Sequence, residues 1–302
     1  MEKYPEQPQF NEGVEKPKDW LPDGSDDKEH RLAVDAEWHE LEKRLGQPRI
    51  LNHIYFTEIF DWIKKEYKNN PDAFSYFEAG CGHGNDLRAI RKELGETGER
   101  GRFLGVDMSA VEIMHGMEFY RQQDNEEIEE SRKLFAQGDL RNMANINIWN
   151  ETRGDFSQPA RIKDGEFDLI YIEAVLHTFG YGKKTYQEKK ESVKQMLNEL
   201  YRICKAGGKF FGRTAAFDST VTEEDQFERL RKTNNWRFVP RAGEFEEMLQ
   251  QAGFTDVKIT QNPHERAESD PNKKNILRFS FLAQKWTPPC VLSALARAKF
   301  MV

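Results

Sequence analysis

Cysteine is scarce in this sequence, and long apolar runs are missing from it. The 302 residues include three cysteines, Cys81, Cys204 and Cys290. Their wide spacing fits neither a disulfide framework nor a zinc knuckle, which favours a reducing compartment. No apolar run, at the N-terminus or elsewhere, approaches the length that spans a bilayer. We therefore expect a soluble, cytoplasmic protein that does not contact a membrane.

An excess of basic residues is missing as well. The chain has 45 Lys and Arg against 52 Asp and Glu, which gives a formal net charge of -7. A protein that holds nucleic acid by general electrostatics carries the opposite balance. The composition therefore argues against a nucleic-acid partner and favours small molecules or proteins.

A glycine-rich stretch lies between an apolar run and a segment with helical periodicity. It spans Glu78 to Gly84 and reads EAGCGHG. Alternate glycines before a helix let the backbone approach a ligand closely, while helix N-H groups point at it. The dinucleotide fingerprint needs a glycine where Asn85 stands, and no Lys-Ser/Thr pair follows as in a P-loop. The stretch therefore predicts a nucleotide-type site of another kind.

Around this stretch, short apolar runs alternate with longer amphipathic segments, which is the pattern of a parallel sheet flanked by helices. The last two runs indicate an antiparallel hairpin. We predict seven strands: Phe74 to Glu78, Arg102 to Asp107, Leu134 to Gly138, Phe167 to Glu173, Gly208 to Thr214, Asp256 to Gln261 and Leu277 to Lys285. The predicted helices among them are Asn85 to Leu94, Ala110 to Gln122, Lys184 to Cys204 and Ala242 to Ala252.

The EAGCGHG stretch resembles the first motif of the class I S-adenosylmethionine-dependent methyltransferases, E/D-x-G-x-G-x-G. Later strand ends are similar to the family's other motifs, in the same order, over roughly residues 70 to 286. The resemblance implies an α/β, Rossmann-like, doubly wound and mostly parallel seven-stranded sheet with an antiparallel C-terminal hairpin. It also implies an enzyme that uses S-adenosylmethionine and releases S-adenosylhomocysteine.

The ends of the second and third strands supply two further candidates. Asp107 could accept hydrogen bonds from both ribose hydroxyls, because a carboxylate offers paired oxygens; a helix-capping acid is the alternative. By resemblance, Asp139 accepts from the adenine amino group and Leu140 frames the ring. The expected cofactor-binding residues are Glu78, Gly80, Cys81, Gly82, Gly84, Asp107, Met108, Asp139, Leu140 and Glu173.

His177 is the candidate catalytic base. It follows Glu173 by four residues, at the edge of the expected crevice, and its side chain titrates near neutral pH. The alternative is a structural histidine at a helix start. Glu173, Arg213 and Asp218 are secondary candidates for acceptor binding. Methyl transfer from a sulfonium requires no metal.

The chain divides into four segments. We expect a disordered arm or lid at 1-28, an N-terminal helical cap at 29-70, the methyltransferase domain at 71-286 and an apolar tail at 287-302. The cap would consist of two helices, Lys28 to Leu45 and Leu51 to Tyr67. Arg141 to Gly165 is a long polar connection without an assigned structure. Self-association would use the cap helices or the tail.

A small-molecule methyltransferase is the leading interpretation. The alternatives are a protein or RNA methyltransferase, or a non-catalytic protein that binds a cofactor or a partner on the same fold. The residues around Glu173 lack the Asn/Asp-Pro-Pro-Tyr/Phe signature of enzymes that methylate nucleic-acid amino groups, which counts against that class.

Overall fold

The computed structural model describes residues 48-124, 132-176, 185-217, 222, 238-266 and 276-287. Five expected features lie outside these residues: the arm at 1-28, the first cap helix, His177, Asp218, and residues 288-302 of the tail. Among the described helices, none is long and apolar enough to cross a membrane.

The described strands form one nine-stranded sheet in the order β5-β4-β3-β2-β1-β6-β7-β9-β8. The central five strands are parallel, and both edges are antiparallel. The strands are β1 (Ser75–Ala79), β2 (Arg102–Asp107), β3 (Phe135–Gly138), β4 (Ile146–Asn150), β5 (Asp155–Ala160), β6 (Phe167–Glu173), β7 (Cys204–Phe217), β8 (Phe254–Arg266) and β9 (Ile276–Lys285).

Helices cover both faces of the sheet. They are α1 (Phe56–Tyr67), α2 (Asn85–Glu93), α3 (Glu96–Arg100), α4 (Ala110–Asp124), α5 (Tyr186–Ile203) and α6 (Ala242–Gln251), with short 3-10 turns at Ile50–Asn52 and Pro71–Ala73. Side chains from α5 and α6 pack on one face, and side chains from α1, α2 and α4 pack on the other. Each fully buried large apolar side chain contributes roughly 1.5–3 kcal/mol.

The strand order reverses between β1 and β6. From β1 the chain moves outward through β2 to β3, and it later continues from β6 to β7 on the other side. A crevice opens at the carboxyl ends of parallel strands where the order reverses, and ligands of doubly wound sheets bind there. The glycine-rich stretch leaves β1 at this point, and Glu173 ends β6 beside it.

The expected seven strands are corrected to nine. Strands β4 and β5 form an antiparallel hairpin in the segment taken for an unstructured connection. The signal was the alternation of Ile146 and Ile148 with Asn147, which the poor strand preference of asparagine obscured. Pro159 is tolerated because β5 is an edge strand.

The second cap helix begins at Phe56 and not at Leu51. His53 has an extended backbone, and its side chain ties the cap to β7. Nε2 of His53 donates to the Gly212 carbonyl at 2.9 Å, and Nδ1 accepts from the Tyr55 N-H at 3.2 Å. Burial lowers the pKa of His53 to about 4, so the neutral ring can donate at one nitrogen and accept at the other.

Helix α4 packs on the glycine-rich stretch through Gly116. A Cβ at this position would lie 2.2 Å from the His83 carbonyl oxygen and 2.6 Å from its Cα. Any side chain at residue 116 therefore pushes α4 away from the stretch.

We predict that Gly116→Ala lowers the free energy of unfolding by about 1–3 kcal/mol, although alanine is the better helix former. Gly243→Ala is the matched control, because no atom lies within 4 Å of its added Cβ. That variant should gain about 0.5–1 kcal/mol. Urea unfolding measures both, and an equal gain in the two variants would contradict the close packing at Gly116.

Candidate functional site

The backbone of the loop from β1 to α2 packs directly against neighbouring residues at its glycines. Gly80, Gly82 and Gly84 have positive φ angles of 70°, 48° and 75°. An added Cβ would lie 2.3 Å from Val175 at Gly80 and 2.4 Å from Phe135 at Gly84. Only glycine satisfies both the conformation and the space. We call residues 80–84 the glycine loop.

Asp107 ties the end of β2 to the glycine loop. Its Oδ2 accepts from the Gly82 N-H at 2.9 Å, and its Oδ1 accepts from the Ser109 N-H at 2.8 Å. Burial raises the pKa of Asp107, and these N-H groups oppose that rise. The Met108 N-H also donates to this carboxylate, which retains acceptor capacity for a ligand hydroxyl group. The neighbouring Met108 side chain is half exposed beside it.

The third strand end differs in detail from the expectation. Leu140 is buried, but the Asp139 carboxylate is bound by the side chain of Arg141. Nη2 of Arg141 lies 2.6 Å from Oδ2 of Asp139, and its Nη1 donates to Ser192 at 3.1 Å. The ion pair holds Asp139 in place and takes up part of its hydrogen-bonding capacity.

Glu173 ends β6 in a network of polar groups. Its Oε2 accepts from the Tyr171 hydroxyl and from Nε of Arg213, both at 3.0 Å. Nη1 of Arg49 lies 3.5 Å from Oε1. The next residue, Ala174, has a φ angle of 56°, which costs a non-glycine residue of order 1–3 kcal/mol. Such strain is typical of functional sites.

Asp86 binds the cap residues Arg49 and Ile50 at the start of α2. It lies in the first turn of α2, and its Oδ1 accepts from the N-H groups of Arg49 at 2.5 Å and Ile50 at 2.7 Å. Nη2 of Arg213 donates to the Arg49 carbonyl at 3.0 Å. The cap is thereby joined both to α2 and to the end of β7. An acid in the first helical turn reads as an ordinary helix-start residue, which hides this role.

Glu78 lies beneath the glycine loop and is 4% exposed. Burial and the nearby Asp86 raise its pKa, and the Leu87 N-H opposes that rise. Among the described residues, Oε2 of Glu78 and the hydroxyl of Tyr76 have no hydrogen-bond partner. Buried polar atoms in native proteins are nearly always paired, so these two indicate a place for a ligand or a water molecule.

Two other side chains of the loop are neutral. Burial, His115 and Arg88 lower the pKa of His83 to about 4, and Nε2 of His83 lies 3.3 Å from Nδ1 of His115. Burial raises the pKa of the Cys81 thiol, which packs against Gly105. A thiol that stays protonated is a poor nucleophile, so Cys81 is a packing residue.

The structure thus brings together the expected residues of the first, second and fourth parallel strand ends. Glu78, the glycine loop, Asp107 and Glu173 surround one crevice. Asp139 lies one strand further out, and His177 is outside the described residues. Within the described ranges, no group of three or more His, Cys, Asp and Glu is placed to hold a metal ion.

The sequence matches the model of a protein family described as "Methyltransferase domain" over residues 51–259. This range is more than half of the chain, and it contains the glycine loop, Asp107, Asp139 and Glu173. A search of curated proteins finds no match.

Three solved structures illustrate the fold. An arsenic(III) S-adenosylmethionine methyltransferase from Chlamydomonas reinhardtii is 17% identical, with a TM-score of 0.48 over 72% of this chain and 64% of that one. Phosphoethanolamine N-methyltransferase 2 from Haemonchus contortus is 13% identical, with a TM-score of 0.49 over 76% and 53%. Geranyl diphosphate C-methyltransferase from Streptomyces coelicolor is 10% identical, with a TM-score of 0.49 over 76% and 79%.

The chain spans less than two thirds of the length of the first two of these proteins. All three TM-scores lie below 0.5, so these structures support no inference about the reaction of this chain.

The burial of Asp86 predicts how the stability of the protein depends on pH. Burial raises the pKa of Asp86 from 3.8 to about 6, so the folded protein binds this proton more firmly than the unfolded chain. Ionisation of Asp86 therefore costs stability as the pH rises from about 4 to about 6, by roughly 3 kcal/mol at most. Asp86→Asn keeps the acceptor oxygen but cannot ionise.

We predict that the stability of Asp86→Asn relative to the wild type grows across this pH range, as measured by urea unfolding between pH 4 and 7. Asp72→Asn is the control, because Asp72 is exposed and its pKa is lowered by the hydrogen bond from Arg100. It should show no such gain. Parallel stability curves for the wild type and Asp86→Asn would rule out the buried ionisation.

Proposed function

Since the chain belongs to the methyltransferase-domain family, we propose that it moves a methyl group from S-adenosylmethionine to a small-molecule acceptor by in-line displacement. The observation that carries this proposal is the glycine loop, whose bare backbone lies between Asp107 and the segment after Glu173. Ligands of doubly wound sheets bind at a strand-order reversal, and the resemblance implies that this loop receives the methionine end of the cofactor. The net charge of -7 supports a small acceptor over nucleic acid.

The residues at the crevice fit the cofactor. Gly80, Cys81 and Gly82 would present backbone to its methionine end, and the unpartnered Oε2 of Glu78 would receive the ammonium group, directly or through water. Asp107 would accept from the ribose hydroxyls, since its carboxylate retains acceptor capacity beside the N-H groups that it binds. Met108, Leu140 and Asp139 would border the adenine, with Asp139 held in place by Arg141.

When bound, the cofactor supplies an electrophilic methyl group on its sulfonium. The protein's task is then to orient the nucleophile in line with that group and to exclude water. The cap would cover the crevice for this purpose, because Asp86 holds its first residues above the start of α2. Glu173 and Arg213 lie at the edge of the crevice and would contact the acceptor.

His177 is proposed as the base that removes a proton from the acceptor. It follows the strained turn at Ala174, directly beyond the strand end at the crevice. Its titration range suits proton removal near neutral pH.

We predict that Asp107→Ala weakens binding of S-adenosylmethionine about 10- to 100-fold, because charge-assisted hydrogen bonds are lost. Gly82→Val should be at least as damaging, since its φ of 48° disfavours a side chain and Glu112 Oε2 lies 3.2 Å from the added Cβ. Calorimetry measures both affinities. Asp72→Ala, an exposed aspartate in the 3-10 turn that precedes β1, is the control and should bind normally. Unchanged binding in both test variants would disprove the cofactor site.

A separate prediction concerns His177. With a metabolite extract as the source of acceptor, the release of S-adenosylhomocysteine should fall about 10²- to 10⁴-fold in His177→Ala. The wild-type rate should decline below about pH 6.5, where an ordinary histidine becomes protonated, and the residual rate of the variant should not follow that decline. Cofactor affinity should stay unchanged. Full turnover by His177→Ala over the whole pH range would exclude the proposed base.

A further inference from the structure

Four carboxyl groups lie around the floor of the crevice, and their partners differ. Asp86 accepts two backbone N-H groups, and Asp107 accepts those of Gly82, Ser109 and Met108. Glu173 accepts from Tyr171 and is paired with Arg213. Glu78 differs from the other three, because its described partner is a single N-H group and its Oε2 has none.

The groups that face Glu78 do not compensate for a full negative charge. Asp86 of α2 and Asp107 of β2 both disfavour ionisation of Glu78. Arg88 and the Leu87 N-H, both on α2, favour it. Arg88 is also engaged elsewhere, since its Nη1 donates to the His83 carbonyl at 2.9 Å.

Neighbours on β1 and the glycine loop add no positive charge. The Tyr76 hydroxyl lies close to Glu78 but is a neutral group, and the thiol of Cys81 is buried and protonated. A charge on Glu78 raises the pKa of the Tyr76 hydroxyl and of the Cys81 thiol. The pocket around Glu78 is therefore short of one positive charge.

A carboxyl group in such a pocket binds a cation, and a proton is the cation always at hand in water. We propose that Glu78 carries a proton in the free protein and releases it to solvent when the ammonium group of the cofactor binds beside it. The inference rests on the proposed function, because it requires the cofactor in this crevice. The balance is simple: one O-H bond of the carboxyl group breaks, the buffer takes the proton, and the carboxylate then faces the ammonium.

Two consequences distinguish this coupling from an ordinary ion pair. Binding transfers a proton to the buffer, so the measured enthalpy depends on the ionisation enthalpy of that buffer. Affinity also rises with pH, towards tenfold per pH unit for one proton, wherever free Glu78 is protonated. A Glu78 that was already ionised would produce neither effect.

The test is calorimetry of the full chain with S-adenosylhomocysteine at pH 7 in phosphate, HEPES and Tris. This ligand has the ammonium group and is mostly protonated there, because an α-amino group titrates near 7.7–8.0. We expect the wild type to release close to one proton per bound ligand. Glu78→Gln should bind at least tenfold more weakly, without proton release and with a flat pH dependence. Glu93→Gln, an exposed glutamate on α2, should behave as the wild type.

Infrared difference spectra of the wild type provide a second measurement that needs no variant. The carbonyl band of a protonated carboxylic acid should disappear when S-adenosylhomocysteine is added. If Glu78→Gln does not fold, this band and the wild-type calorimetry decide the question.

The outcomes are distinct. Tight binding without proton release or band loss would overturn this inference and leave the proposed function standing. Undiminished proton release in a folded Glu78→Gln would assign the proton to another group and overturn it as well. A wild type that does not bind S-adenosylhomocysteine would overturn the proposed function, and this inference with it.

Discussion

The site depends on one constraint: the backbone of the glycine loop packs directly against neighbouring side chains. The loop fits between Val175 and Phe135 only without side chains at Gly80 and Gly84. Helix α4 reaches the same loop through Gly116. Because the loop is held this tightly, its Gly82 N-H meets Asp107, and the ends of β1, β2 and β6 border a single crevice.

The crevice also gathers charge that would be costly to bury alone. Most of it is compensated: Asp107 and Asp86 by backbone N-H groups, and Glu173 by Arg213. These compensations have a structural effect, because Asp86 and Arg213 both bind the backbone of Arg49 and thereby join the cap to α2 and β7. Glu78 is the exception: its Oε2 has no partner within the described residues, and the ammonium group of the proposed cofactor would supply one.

Most of the architecture could be predicted from the sequence. The family match confirms the methyltransferase class, and the described sheet confirms the mostly parallel α/β fold with antiparallel edges. The predicted strands at Arg102–Asp107 and Phe167–Glu173 have the observed bounds. The β4–β5 hairpin was missed, because asparagines dilute its alternation and Pro159 disfavours a strand unless it lies at an edge. The roles of the individual site residues, His177 included, stay predictions.

Local sequence determines the elements here: alternate glycines require a close-packed turn, and apolar periodicity selects strand or helix within about a dozen residues. It carries no information about which distant groups meet. Arg49 and Asp86 are 37 positions apart, and each looks ordinary in its own segment. The same holds for Glu173 and Arg213, which become neighbours only because β6 and β7 pair in that register. The contact of Asp86 with the cap and the uncompensated charge of Glu78 are therefore consequences of the tertiary structure, since burial and pairing exist only after the chain has folded.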